Sequence, residues 1–254
     1  MKKIKFLLVI VIGFSCYLLT SCGITQVPEG ANAQETYEFA MEQFEDEDYL
    51  AAQLGFDKIK LQYPASIYAD DAQYYLAEIN FSESKYILAA FNYSTLRRIY
   101  PQSEYAHKAL FKTALSYYEL SPNYDRDQEY TLKAIKTFSE FQAAYPNDSL
   151  YQQASEYIQE LRNKLAFREL FTADLYRKIR SSKSSLVYYQ SVIDNYKDTD
   201  HFEEAVVGKI ETLDYLGRAS EAKKEIKFYK SQFPNGDLLS KVQEIESNLG
   251  KNQE

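Results

Sequence analysis

The sequence predicts an all-α protein: a superhelical array of about five helical hairpins with a closing helix at the C-terminus. Two observations carry that prediction. The 254 residues include only 8 Gly and 6 Pro, too few turn formers for a sandwich or barrel of many short strands. An aromatic–proline pair also recurs after helix-period apolar patterns, as Tyr63-Pro64, Tyr100-Pro101, Tyr145-Pro146 and Phe233-Pro234. Tyr196-Lys197 stands at the equivalent place in a fourth unit.

The chain opens with what reads as a bacterial export signal over residues 1–21. Lys2, Lys3 and Lys5 form its positive end, and Phe6 to Leu19 an apolar stretch shorter than the roughly 20 residues a membrane span needs. Leu19-Thr20-Ser21-Cys22 closes it and resembles the lipobox of bacterial lipoproteins, in which the thiol of the Cys receives the lipid. Cys16 is a poorer acceptor, because Gly13 stands where an aliphatic residue is wanted. With Cys22 modified, the mature chain keeps no free thiol and forms no intrachain disulfide. Residues 22–32 then read as the lipidated Cys and a tether, aperiodic and punctuated by Pro28 and Gly30. Gly23 rather than Asp follows the Cys, and no acidic cluster comes after it. By resemblance to other lipoproteins this implies the periplasmic face of the outer membrane.

Five aligned units follow. Twelve residues before the second position of each aromatic–proline site lie Ala52, Ala89, Ala134, Ser185 and Ala222, all small. Eight before lie Phe56, Tyr93, Phe138, Tyr189 and Ile226, all large, and five before lie Ile59, Leu96, Phe141, Val192 and Tyr229. Ala40, Ala77, Ala114 and Ala173 supply small residues on preceding helices. Two antiparallel helices approach closely only where both side chains are small; a large neighbour fills the wedge, and Pro ends the second helix. The pattern resembles the tetratricopeptide repeat.

This register places helices near 33–46, 48–62, 67–82, 85–99, 104–119, 128–144, 150–180, 183–195, 201–216, 219–232 and 237–249, the last capped by Asp237. Eight extra residues around Ser121 to Gln128 read as an elongated turn inside the third hairpin.

In stacked hairpins the first helices line the concave face. Residues at one-turn steps from each unit start are therefore candidates for a substrate groove: Tyr37, Met41 and Phe44; Tyr74, Glu78 and Phe81; Phe111, Leu115 and Tyr118. The corresponding set in unit four (Phe167, Leu170, Asp174, Arg177) is mixed, and in unit five (Glu204, Val207, Glu211, Asp214) mostly acidic. The N-terminal half thus has the stickier concavity, a candidate protein-binding surface formed by Tyr37, Met41, Phe44, Tyr74, Phe81, Phe111, Leu115 and Tyr118.

Composition narrows the function. The net charge is −8, and three charges more negative once the leader is removed, which excludes nucleic-acid phosphate as the natural partner. No sequence cluster of basic residues suggests anionic-lipid binding. An enzyme is equally poorly supported. His107 and His201 stand near helix starts with no ligand-spaced carboxylate motif, and neither a phosphate loop nor a nucleophile motif is present. The acid pairs Asp70-Asp71 and Glu203-Glu204 fall in helix first turns, where they oppose the macrodipole. No metal site and no cofactor are expected beyond the covalent lipid on Cys22.

Tyr63-Pro-Ala-Ser-Ile-Tyr-Ala69, the related Tyr100 to Ala106, the Asp125-Arg126-Asp127-Gln128 insertion and the long helix through Leu165 to Glu169, behind a lipobox and tether, resemble the BamD family of outer-membrane β-barrel assembly lipoproteins. Lys197-Asp198-Thr199 departs from it where the family has Pro in the turn. The resemblance implies a non-catalytic scaffold. Its N-terminal repeats 1–3 (residues 33–146) would engage unfolded outer-membrane barrel proteins. Its C-terminal repeats 4–5 and closing helix (147–250) would dock on a BamA-like barrel-forming subunit. The competing expectation is a tetratricopeptide-repeat lipoprotein adaptor for cell-wall enzymes or a nutrient transporter.

Overall fold

The computed structural model describes residues 26–251, so the leader, Cys22 and the start of the tether lie outside the described residues. The described chain is all helical: α1 (Ala33–Glu45), α2 (Tyr49–Gln62), α3 (Ala69–Ser82), α4 (Tyr86–Ile99), α5 (Ala106–Glu119), α6 (Glu129–Ala144), α7 (Tyr151–Lys178), α8 (Ser182–Asn195), α9 (Phe202–Tyr215), α10 (Ala219–Gln232) and α11 (Leu239–Lys251). Every expected helix is present within about two residues at each end, the scatter inherent in helix boundaries. Two compact units divide the chain, one ending at Glu83 and the other beginning at Ser84. In the first, α2 packs on both α1 and α3; in the second, each helix from α4 to α10 packs on its chain neighbour, and α11 lies on α9 and α10.

The repeat positions form the core. The small crossing residues Ala40, Ala52, Ala89, Ala114, Ala134, Ala173, Ser185 and Ala222 are completely buried, as are Phe56, Tyr93, Phe138 and Tyr189 one turn later. Burial of each such large side chain is worth about 2–3 kcal/mol. Close approach has a second source in the first unit. A Cβ at Gly55 would meet Ala40 Cβ at 2.6 Å, so glycine lets α1 and α2 touch along their backbones.

Five near-identical turns end the second helices. The backbone N–H groups of Tyr63, Tyr100, Tyr145, Tyr196 and Phe233 each donate to the carbonyl four residues back, and each carbonyl of these five accepts from the amide three residues on. The fourth turn keeps this geometry although it has Lys197 in place of Pro. Arg162 on α7 replaces the missing stiffness: its guanidinium forks onto Asp198, with Nε and Nη2 each 2.5 Å from a carboxylate oxygen, and also reaches the Asn195 carbonyl at 2.7 Å. Within hairpins the chain reverses through left-handed residues, including Glu47 (φ 61°), Arg180 (φ 61°) and Gly217 (φ 68°).

Two local expectations need refinement. The third hairpin's elongated turn is an ordered knot: Gln128 Nε2 donates to the carbonyls of Asn123 and Arg126, and Thr131 Oγ1 donates to Gln128 Oε1. Asp237 does not cap the closing helix, which starts at Leu239. The amide of Leu238 there is taken by Glu203 Oε1 of α9, at 2.9 Å.

Candidate functional site

The predicted groove residues sit on α1 and α3 of the first unit and α5 of the second, and within each unit they pack against aromatic neighbours more than they form open surface. In the first unit the Tyr37 ring stacks on Tyr68 at 4.7 Å, and Phe44 meets Tyr75 edge-on at 5.1 Å; both, with Met41, are half-buried against the Phe56 core. Tyr74 is only 8% exposed, and Phe81 is half-buried. In the second unit Phe111 is 4% exposed and lies 5.4 Å from both Phe138 and Phe141, so its ring belongs to the core and not to an open concavity. Leu115 and Tyr118 are half-buried. Tyr118 leans on Tyr157 at 4.6 Å and donates its hydroxyl to Glu160 at 2.7 Å. Tyrosine suits this position, since its ring packs between helices while its hydroxyl stays at the polar rim.

One openly apolar face of the second unit lies on the long helix α7, and sequence register missed most of it. Phe167, Phe171 and Leu175 follow at four-residue steps, Ile179 continues the row at the helix end, and all four are exposed, Phe171 to 46%. Tyr124, from the third-hairpin turn, packs edge-on against Phe167 at 4.8 Å and against Phe171 at 5.4 Å. Among the unit-four candidates, only Phe167 belongs to this row; Leu170 points into the core.

Beside that row, α7, α9 and α11 build a charged floor. Asp174, Arg177, Glu203, Glu204, Glu211 and Lys241 line a surface pocket of about 330 Å³. Arg177 bridges Asp174 and Glu211, and Lys241 holds the other Glu211 oxygen at 2.5 Å. Two core tyrosines reach the pocket from the second helices: Tyr189 donates to Asp174, and Tyr229 to Glu203 at 2.5 Å. Burial, and then the hydrogen-bonded carboxylate, push both phenols above the usual tyrosine range; Tyr118 is raised by the same two causes. The acids here are therefore largely engaged in structure. Among the described residues no group of three or more His, Cys, Asp or Glu is arranged to hold a metal ion, and no helix is long and apolar enough to cross a membrane.

His107 and His201 also have structural surroundings. His107 lies 3.7 Å from Asp148 and edge-on to Tyr145, and His201 packs on Phe167.

The fold and this surface define a helical-hairpin repeat protein, a class that presents packed helix faces to other macromolecules. The chain belongs to the YfiO family of outer membrane lipoproteins, whose sequence profile matches residues 29–229. The resemblance to BamD read from the residues is matched by its relatives. The outer membrane protein assembly factor BamD of Rickettsia prowazekii is 30% identical over 132 residues, 52% of this chain and 53% of that protein. BamD of Caulobacter vibrioides is 26% identical over 136 residues, 54% of this chain and 45% of that protein. The matched stretch thus spans about half the length of these relatives. A solved TPR repeats protein from Bacteroides fragilis aligns with 87% of this chain and 98% of its own, at 12% identity and a TM-score of 0.46.

Proposed function

We propose that this chain is a lipid-anchored subunit of the outer-membrane β-barrel assembly machinery, tethered through Cys22 and facing the periplasm. Repeats within 33–146 engage unfolded barrel proteins, and the region 147–250 docks on a BamA-like barrel-forming subunit. The observation that carries this reading is the family match along residues 29–229. The geometry fits it: chemistry of binding is everywhere on these helices, in half-buried aromatics on α1, α3 and α5 and in the exposed row on α7. A strand of an unfolded barrel protein offers alternating apolar side chains, for which aromatic edges on a rigid helical frame are suitable partners.

Site-specific photo-crosslinking tests the division of labour. A photoreactive residue at Phe81 or Leu115 should give adducts with newly exported barrel proteins, and one at Phe171 or Leu175 an adduct with the barrel-forming subunit. Adducts with cell-wall enzymes alone, from both sets of positions, would refute the reading.

A further inference from the structure

The first unit and the outer face of the second differ sharply in charge. Residues 26–83 carry thirteen acids against Lys58 and Lys60 alone. On the second unit, cations far apart in sequence converge. Arg97 of α4 and Lys133 and Lys136 of α6 line one surface pocket of about 270 Å³, with Ser94, Thr113 and the single acid Glu140. Lys136 reaches Glu140 only loosely, at 3.9 Å, and Lys133 shares itself between Glu129 at 2.6 Å and the faces of Tyr130 and Tyr117. Arg97 has no ion-pair partner among the described residues. The pocket therefore holds a surplus of positive charge around hydroxyl groups.

Next to it lies an apolar surface that helix burial does not require. Ile87 and Phe91 stand one turn apart on the outward stripe of α4 that also carries Ser94 of the pocket and, further on, Arg98; Leu88 flanks the stripe. All three apolar side chains are exposed, Phe91 to 63%. The inner face of the same helix is already complete, with Ala89, Ala90, Tyr93 and Leu96 in the core. A helix face with outward aromatic and aliphatic residues beside clustered Lys and Arg matches the chemistry of a bilayer boundary: phosphate at the level of the cations, acyl chain at the level of the rings.

We propose that this α4–α6 face is a contact for an anionic phospholipid surface, with a lipid phosphate held by Arg97, Lys133 and Lys136 and the side chains of Ile87, Leu88 and Phe91 entering the headgroup boundary. Charge complementarity selects the lipid as occupant: Arg97, Lys133 and Lys136 are offset only by Glu140 in the pocket and Glu129 beside Lys133, which leaves net positive charge to meet a phosphate, and no such surplus exists on the first unit, which an anionic bilayer repels. The contact is additional to a lipid on Cys22 and independent of the partner proteins proposed above.

The test uses the full lipidated chain in vesicles of phosphatidylcholine, with or without phosphatidylglycerol, whose acyl chains are brominated. A fluorophore on Ile87→Cys, in a chain lacking Cys16, reports depth; Ser240→Cys on α11 is the control position. Quenching is expected at 87 and not at 240, and only with phosphatidylglycerol. Arg97→Gln and Lys136→Gln should each lower the docked-to-free ratio about fivefold, the equivalent of roughly one charge at an anionic surface. Absence of quenching at 87, equal quenching in both vesicle types, or equal quenching at 87 and 240 would overturn the proposal. Ile87, Lys136 and Ser240 are exposed and Arg97 is half-buried, and none of the four belongs to the core.

Discussion

Gly208 of α9 lies against the ring of Tyr189 on α8 so closely that a Cβ at 208 would fall 2.5 Å from the ring carbons Cε1 and Cζ. The glycine is what lets the fully buried tyrosine pass between helices and place its hydroxyl on Asp174. Alanine is normally about 1 kcal/mol better than glycine inside a helix. Here Gly208→Ala should instead destabilise by about 1–3 kcal/mol through overpacking. Urea unfolding checks this, and Gly208→Ala combined with Tyr189→Leu should recover part of the loss.

The raised phenols of Tyr118, Tyr189 and Tyr229 give the fold an alkaline limit. Their folded pKa values lie above the unfolded value of about 10, so the unfolded chain releases these protons first. The stability they contribute is complete below about pH 10 and is lost as pH rises beyond it. Ultraviolet titration of phenolate should show these three groups ionising only with unfolding. Asp174→Asn, which removes the carboxylate acceptor, should bring the Tyr189 ionisation down toward the others.

The Arg162–Asp198 fork should matter more than an ordinary surface pair, since it fixes the one repeat turn that lacks proline. Asp198 is exposed, so water screens the pair and Arg162→Ala should cost about 1 kcal/mol. Hydrogen bonds from Arg162 hold the Asp198 carboxyl below its ordinary range. A depressed carboxylate adds stability above its unfolded pKa and loses it as pH falls. The gap between wild type and variant should therefore close on acidification below about pH 4, as followed by thermal unfolding.

Core and surface aromatics should separate cleanly. Phe111→Glu forces a charge into the Phe138–Phe141 cluster and should cost more than about 4 kcal/mol, enough to unfold the protein or nearly so. Phe171→Glu, on the exposed row, should change stability by less than about 0.5 kcal/mol. Circular dichroism melts decide the point, and Phe171→Glu is the variant fit for binding assays.

The fold was readable because its determinants are periodic. Ala52, Phe56 and Ile59 recur as Ala89, Tyr93 and Leu96 and again as Ala134, Phe138 and Phe141, and each set marks a helix crossing that backbone sterics make almost obligatory. Site residues obey weaker rules. Counting one-turn steps does not tell which side chains stay open: Phe111 and Tyr74 stand at predicted groove positions, yet both rings are buried. On α7 the same counting chose Leu170 beside Phe167. A 28-residue helix shared by successive repeats carries its own row at 167, 171 and 175, and only the packing reveals which face it presents. The α4–α6 cations were invisible for a different reason: Arg97 and Lys133 are 36 residues apart and meet only when the hairpins stack.

Membership of a barrel-assembly complex can be read from co-purification. The lipidated chain would be drawn from detergent-solubilised outer membranes and its stoichiometric partners identified by mass spectrometry. A large β-barrel protein with repeated periplasmic domains is expected, retained by wild type and lost on Phe171→Glu. Recovery of cell-wall enzymes or a nutrient transporter, with no such barrel, would contradict it.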